Sequence, residues 1–121
     1  MTREEKIAVV ESYIQGLGAG DFSGVPFAED VILQGPLAPQ MTGQEAIDFL
    51  SGLFPLMRGA EIGQHIVEGE FVATTFQLHT SNGVTAVFDK FRVLDGQLKE
   101  ISPYYDPAIL AEAVERLEES R

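Results

Sequence analysis

The stretch Thr85–Asp106, TAVFDKFRVLDGQLKEISPYYD, limits what this chain can become more than any other. It reads as two strands joined at Asp95-Gly96, a dipeptide that favours a tight hairpin turn. Strand side chains alternate, so Val87, Asp89, Phe91 and Val93 share one face. Three of these four are large and apolar, which predicts a buried face with a carboxyl group set in its wall. An ionised carboxylate is costly there, so Asp89 needs a partner or must keep its proton. Lys90 and Arg92 point to the opposite face and are poor partners. Asp89 is therefore the leading candidate for a functional group.

The rest of the chain supplies what covers that wall. Thr2 and Glu5 form a T-x-x-E capping box ahead of Ile7, Val10, Ile14 and Leu17 at helical spacing. Gly16, Gly18 and Gly20 are expected to end this helix. Tyr13 falls near the edge of its buried face, where the ring packs and the hydroxyl needs a partner. A short strand is predicted at Val31–Leu33, within Phe27–Gln34. Gly35–Gln40 carries Pro36 and Pro39 and is expected to be irregular. Thr42 and Glu45 repeat the capping-box pattern before a helix whose apolar face includes Ala46, Ile47, Leu50, Leu53 and Phe54, stopped near Pro55.

After that the period changes from helical to alternating. Strands are predicted at Glu61–Val67, Phe71–Thr80, Val84–Leu94 and Gln97–Tyr105, with turns at Glu68-Gly69-Glu70, Asn82-Gly83 and Asp95-Gly96. Asp106-Pro107 reads as the N-cap and first residue of a last helix, with Ile109, Leu110, Ala113, Val114 and Leu117 on its apolar side. Helices segregated from an antiparallel meander mean α+β. A curved sheet wrapped around helix-borne apolar faces can leave a cavity open at one end.

A length of 121 residues fits one domain spanning 1–121. A chain of this size buries roughly two-thirds of its unfolded surface, enough for a core with a cavity. The net charge of −11 argues against nucleic acid or an anionic membrane as partner. Much of that charge sits in Arg3–Glu11 and Glu112–Arg121 and reads as solvated helix faces. No apolar run approaches a bilayer span and MTREEK lacks a signal-peptide core, so a cytoplasmic location is expected. There is no cysteine, which removes disulfides and thiolate metal sites.

Other chemistry is thin. His65 and His79 lie on different predicted strands without metal-ligand spacing, so no metal and no cofactor are expected. His79 alternates with Phe71, Ala73, Thr75 and Gln77, the more polar face of its strand, and is expected outward or at a cavity mouth. Tyr104 and Tyr105 must face opposite ways, packing on the last helix or at a subunit interface. No nucleophile triad, G-x-G-x-x-G or phosphate loop is present.

The order of these pieces resembles the nuclear transport factor 2-like superfamily, the α+β cone shared by ketosteroid isomerases, SnoaL-type polyketide cyclases and limonene epoxide hydrolases. The segments that carry the resemblance are AVVESYIQGLGAGD at Ala8–Asp21, FAEDV at Phe27–Val31, TGQEAIDFL at Thr42–Leu50 and DKFRVLDGQLKEI at Asp89–Ile101. The resemblance implies a cone-shaped, curved antiparallel sheet around N-terminal helices, with a C-terminal helix. It puts Tyr13 and Asp89 at the two oxyanion-hole positions of ketosteroid isomerases, where the aspartic acid is kept neutral to donate a hydrogen bond. The isomerase base position falls on Gly35, and the catalytic aspartate position of limonene epoxide hydrolases falls on Pro103.

Two functions follow as expectations. One is an isomerase- or cyclase-like enzyme acting on a small apolar carbonyl compound through Tyr13 and Asp89, with Leu33, Phe54, Val87 and Phe91 as ligand-binding lining. The other is a non-catalytic binding or dimeric scaffold protein, because Gly35 cannot be a base. A homodimer through the outer sheet face, with Phe88, Lys90 and Arg92, is expected in either case.

Overall fold

The structure is a computed structural model that describes residues 1–36 and 38–119, with only the backbone of Ala38 and Leu117. Helix α1 spans Arg3–Ala19, followed by β1 (Phe27–Gly35), β2 (Ala38–Thr42) and helix α2 (Gly43–Ser51). A short 3-10 turn, Phe54–Leu56, leads into β3 (Met57–Glu68), β4 (Phe71–Thr80), β5 (Gly83–Leu94), β6 (Gln97–Tyr104) and helix α3 (Ala108–Glu119). The sheet has six strands in the order β2-β1-β6-β5-β4-β3. All neighbours are antiparallel except β1 and β6, which run parallel. The class is α+β, and the predicted meander is β3 to β6.

Local chemistry sets the ends of α1. The Glu5 amide donates to Thr2 Oγ1 at 3.1 Å, and Glu5 Oε1 accepts from the Thr2 amide at 2.9 Å, so both halves of the capping box form. The helix stops at Gly20, whose φ of 73° lets its amide reach the Gly16 and Leu17 carbonyls. Gly16 and Gly18 lie inside the helix rather than ending it. Gly18 serves packing: a Cβ there would stand 2.8 Å from the backbone of Gly59 and Ala60, so only glycine lets α1 lie this close to β3. Val10, Tyr13, Ile14 and Leu17 then enter the core with Val72, Phe76, Val87, Phe91, Leu98 and Ile101 of the sheet.

Four expectations need correction. Gly35–Gln40 is not wholly irregular, because Ala38–Thr42 is strand β2, pairing with β1 at Ile32↔Thr42 and Leu33↔Met41. Pro39 is tolerated because β2 is the edge of the sheet and needs no second partner. Thr42 precedes α2, but its side chain makes no cap bond. Helix α2 ends at Ser51, so Leu53 and Phe54 lie beyond it. Strands β1 and β3 both run longer than predicted.

Helix α3 is tied to the β4–β5 turn through Asn82. The Asn82 amide nitrogen donates to the Ile109 carbonyl at 3.4 Å and to Glu112 Oε2 at 3.1 Å, and Arg116 Nη1 donates to Asn82 Oδ1. Among its described side chains Leu110 and Ala113 are buried. The side chain of Leu117 and the last two positions of the acidic end segment lie outside the described residues. Among the described residues no helix is long and apolar enough to cross a membrane.

Candidate functional site

Alternation along β5 turns Val87, Asp89, Phe91 and Val93 inward, and all four are buried. Asp89 is 2% exposed, lies opposite Thr74 of β4 and Pro103 of β6, and its Oδ1 has no hydrogen-bond partner among the described residues. The two cations beside it in sequence are engaged on the outer face. Arg92 Nε donates to Glu70 Oε1 at 2.7 Å, and Lys90 Nζ stands 4.8 Å from the Phe71 ring centre. Desolvation pushes the Asp89 carboxyl well above the usual carboxylate range; the Ser102 backbone amide opposes it more weakly. Burial thus favours the protonated acid, the form that can donate.

Tyr13 reaches the same space from α1. It is 2% exposed, not at the edge of the buried face as the helical stripe suggested. Burial raises its phenol well above the ordinary value, and the Asp89 charge and Tyr105 add to that. The Asp89 contribution exists only when that acid is ionised, so burial alone already keeps the phenol neutral. Four aromatic rings fix its orientation: Phe91 meets it edge-on at 5.6 Å and Phe27 at 6.1 Å, Phe22 stacks at 5.7 Å, and Phe54 braces Phe22 at 4.8 Å.

Asp89 and Tyr13 both line a cavity of about 50 Å³. Its apolar wall comes from Leu17 of α1, Leu33 of β1, Phe49 and Leu50 of α2, Phe76 and Leu78 of β4, and Val87 of β5. Gly35, Pro39, Leu53, Pro103, Tyr105 and Leu110 complete it. Of the expected lining, Leu33 and Val87 are on the wall; Phe54 and Phe91 are not. Phe91 is fully buried behind Tyr13, and Phe54, past the end of α2, packs on Phe22 instead.

Tyr105 is the residue that sequence reasoning missed. It follows the last residue of β6, so its direction was set only by the rule that Tyr104 and Tyr105 oppose each other. Tyr104 is the outward one, 61% exposed, and Tyr105 lines the cavity. Its phenol is pushed up to about 12, first by burial and then by the Asp89 charge. The polar side chains on the wall are thus one carboxyl and two phenols, and burial favours the neutral, donating form of each.

A family model described as "Domain of unknown function (DUF4904)" matches residues 1–120. The chain belongs to the DUF4904 family. No curated protein matches this DUF4904 sequence. Solved structures do match its shape. A de novo designed protein with a curved β-sheet is 23% identical, with a TM-score of 0.78 over 97% of this chain and 99% of that one. A candidate SnoaL-like polyketide cyclase from a Jannaschia species is 16% identical, with a TM-score of 0.74 over 89% and 90%. A candidate ketosteroid isomerase from Kribbella flavida is 18% identical, with a TM-score of 0.70 over 85% and 78%. At these identities the likeness shows the fold: this DUF4904 domain has the NTF2-like architecture, shared with proteins named NTF2-like and with a cystatin-like one.

Neither histidine of the DUF4904 domain lines the cavity. His79 pairs with Glu61 on the outer side of the sheet. His65 is turned inward by a break in the β3–β4 register between Ile62 and His65, the kind of bulge that re-aims a side chain. Its Nδ1 lies 2.7 Å from Thr74 Oγ1 and its Nε2 2.9 Å from Glu11 Oε2, which clamps α1 to the sheet. Among the described residues no group of His, Asp and Glu could hold a metal ion.

Proposed function

We propose that this domain is a small-molecule pocket protein in which Asp89 and Tyr13 donate hydrogen bonds to one oxygen of a compact apolar carbonyl compound. The observation that carries the reading is the unpartnered Asp89 Oδ1 on the wall of an apolar cavity. A buried polar atom without a partner costs about 1–3 kcal/mol, and a ligand oxygen would remove that cost. Donors fixed in a dry site gain most when the oxygen gains negative charge, as in enolisation or ring closure. This is the isomerase- or cyclase-like version, and the structures named as a SnoaL-like cyclase and a ketosteroid isomerase lend it a scaffold. Among the described residues the lining supplies no further titratable group to act as a base, and Gly35 stands at the position the resemblance assigns to one. Any proton must therefore move through water or the substrate's own groups, and a binding protein without turnover is the alternative.

Titration with phenol and with cyclohexenone tests the reading. Both should bind to the wild type, and Asp89→Leu and Tyr13→Phe, which each remove one donor, should each weaken phenol by about tenfold, the value of one hydrogen bond of roughly 1.4 kcal/mol. Unchanged affinity in both variants would end it.

A homodimer through the outer sheet face is a second proposal. Phe71, Phe88 and Tyr104 are exposed there, and Phe88 and Tyr104 are cross-strand neighbours. They form an apolar patch flanked by Lys90 and Arg92, on a chain whose net charge is −11.

A further inference from the structure

We infer that Tyr105 is a third ligand-binding residue, which donates to a second ligand oxygen, so that the site takes a neutral compound with two acceptor oxygens. This rests on the proposed reading of Asp89 and Tyr13 as donors to the first oxygen. Lone pairs set the count. A carbonyl oxygen has two, and Asp89 and Tyr13 occupy both. A further donor on the same wall needs another acceptor, and among the described residues Tyr105 has none. The Asp89 carboxyl bonds the Ser102 backbone amide and its Oδ1 has no partner, while the two phenols feel it, and Tyr13 feels Tyr105, only through space.

Backbone register aims Tyr105 at this space. Asp89 pairs with Pro103 and Phe88 with Tyr104, so Tyr105 falls on the inner face, diagonal to Asp89. Diagonal positions on a sheet are about 7–8 Å apart, within reach of an aromatic side chain. The backbone on either side is held. Tyr104 is the last residue of β6, and Asp106 Oδ1 accepts from the Ala108 amide at 3.0 Å where α3 begins. Tyr105 is half-buried and packs against the core, and the Asp89 charge acts on its phenol as it does on that of Tyr13.

The character of the ligand follows from the wall. No Lys, Arg or His is among the described lining residues, so an anion would be buried without a counter-charge. The rest of the wall is apolar and the cavity is about 50 Å³, so a short hydrocarbon bridge must join the two oxygens. A compact dione or a cyclic keto-ether has this form.

Cyclohexanone, tetrahydropyran-4-one and cyclohexane-1,4-dione share one ring size and differ in the second oxygen. NMR titration gives their affinities for the wild type and for Tyr105→Phe. The quantity compared is a preference, the affinity of each two-oxygen probe divided by that of cyclohexanone. Dehydration of the second oxygen is common to both proteins and cancels. Tyr105→Phe should lower the preference for at least one probe by about tenfold, the value of one hydrogen bond. Without ligand, its urea midpoint should equal or exceed that of the wild type, because the lost hydroxyl has no partner in the chain. A preference unchanged for both probes would overturn the inference, equal weakening of all three ligands included. So would a fallen urea midpoint, or no binding of either two-oxygen probe. Phenol that still binds through Asp89 and Tyr13 would then leave the proposed function standing. Unchanged phenol affinity in Asp89→Leu and Tyr13→Phe, by contrast, strikes that function first.

Discussion

Replacing Asp89 by Asn should change how stability depends on pH, in a direction fixed by the burial of this carboxyl. Its folded-state pKa is raised by desolvation, while in the unfolded chain it titrates near 4. Between those two values the native state holds one proton more than the unfolded state. Stability therefore falls as pH rises through that window, by about 1.4 kcal/mol per pH unit. The contribution is fully present below the unfolded pKa and is lost by the folded one. Asn carries no titrating proton, so the variant lacks this slope. Both forms leave a polar side chain in the same wall, which adds an offset that does not vary with pH. The other 18 acidic residues among the 19 are common to both proteins, and their pH dependence cancels in the difference. Urea denaturation from pH 3 to 9 measures it. The curve of Asp89→Asn minus wild type should be flat in acid, climb with a one-proton slope above about pH 4, and level off at the folded pKa. A descending difference would mean that Asp89 is ionised in the native state and stabilised there. A flat one would mean that it titrates as in water. Either result refutes the neutral-donor argument.

Further expectations are smaller in scope. Phe91→Ala removes a fully buried ring that holds Tyr13, and should cost about 3–5 kcal/mol in the same assay. Gly18→Val forces side-chain atoms into the β3 backbone and should destabilise by roughly 1–3 kcal/mol, with α1 displaced. Light scattering should give twice the 13.2 kDa chain mass, and Phe88→Glu should give the single mass; a wild-type monomer at working concentration removes the dimer.

Where the sequence was readable, a strict local rule operated. Period-2 alternation announced the inward face of β5, Asp89 included, because one residue of slip would have put Phe88 and Lys90 into the core. The β5–β6 turn was readable because Asp95 and Gly96 both take positive φ, 54° and 75°, which few residue pairs accept. What could not be read was non-local or irregular. The pairing of β1 with β6 joins Leu33 to Ile101 across most of the chain, and nothing near either residue announces it. Strand β2 hid behind Pro39, whose meaning depends on whether the strand has one neighbour or two. The bulge before His65 shifts the phase of β3 by one residue, so alternation gives the wrong face beyond it. Phe54 was placed by continuing the period of α2 past Ser51, where the helix had already ended. Tyr105 stands past the last strand residue, where alternation has no further residue to check it against.

Gly35→Asp asks whether the donors act on a bound carbonyl when a base is supplied. Residue 35 is on the cavity wall, so a carboxylate there shares the chamber with Asp89, Tyr13 and Tyr105. The wall is apolar, and burial would raise the new carboxyl, which suits a group that must take a proton from carbon. Burial favours the protonated form of Asp89, which does not repel a carboxylate as a second charge would. The obstacle is steric: the new Cβ meets Pro103 Cγ at 3.1 Å, so the Pro103 ring must give by a few tenths of an ångström and the chamber loses room. A small ketone is therefore the right substrate. In deuterium oxide, NMR should show faster exchange of the protons beside the carbonyl of cyclohexenone with Gly35→Asp than with the wild type. Adding Asp89→Asn should remove most of the gain, because an amide stabilises a forming enolate less than a neutral acid does. If Gly35→Asp folds and binds the ketone yet exchange does not rise, the oxygen of the bound ketone does not lie against Asp89 and Tyr13.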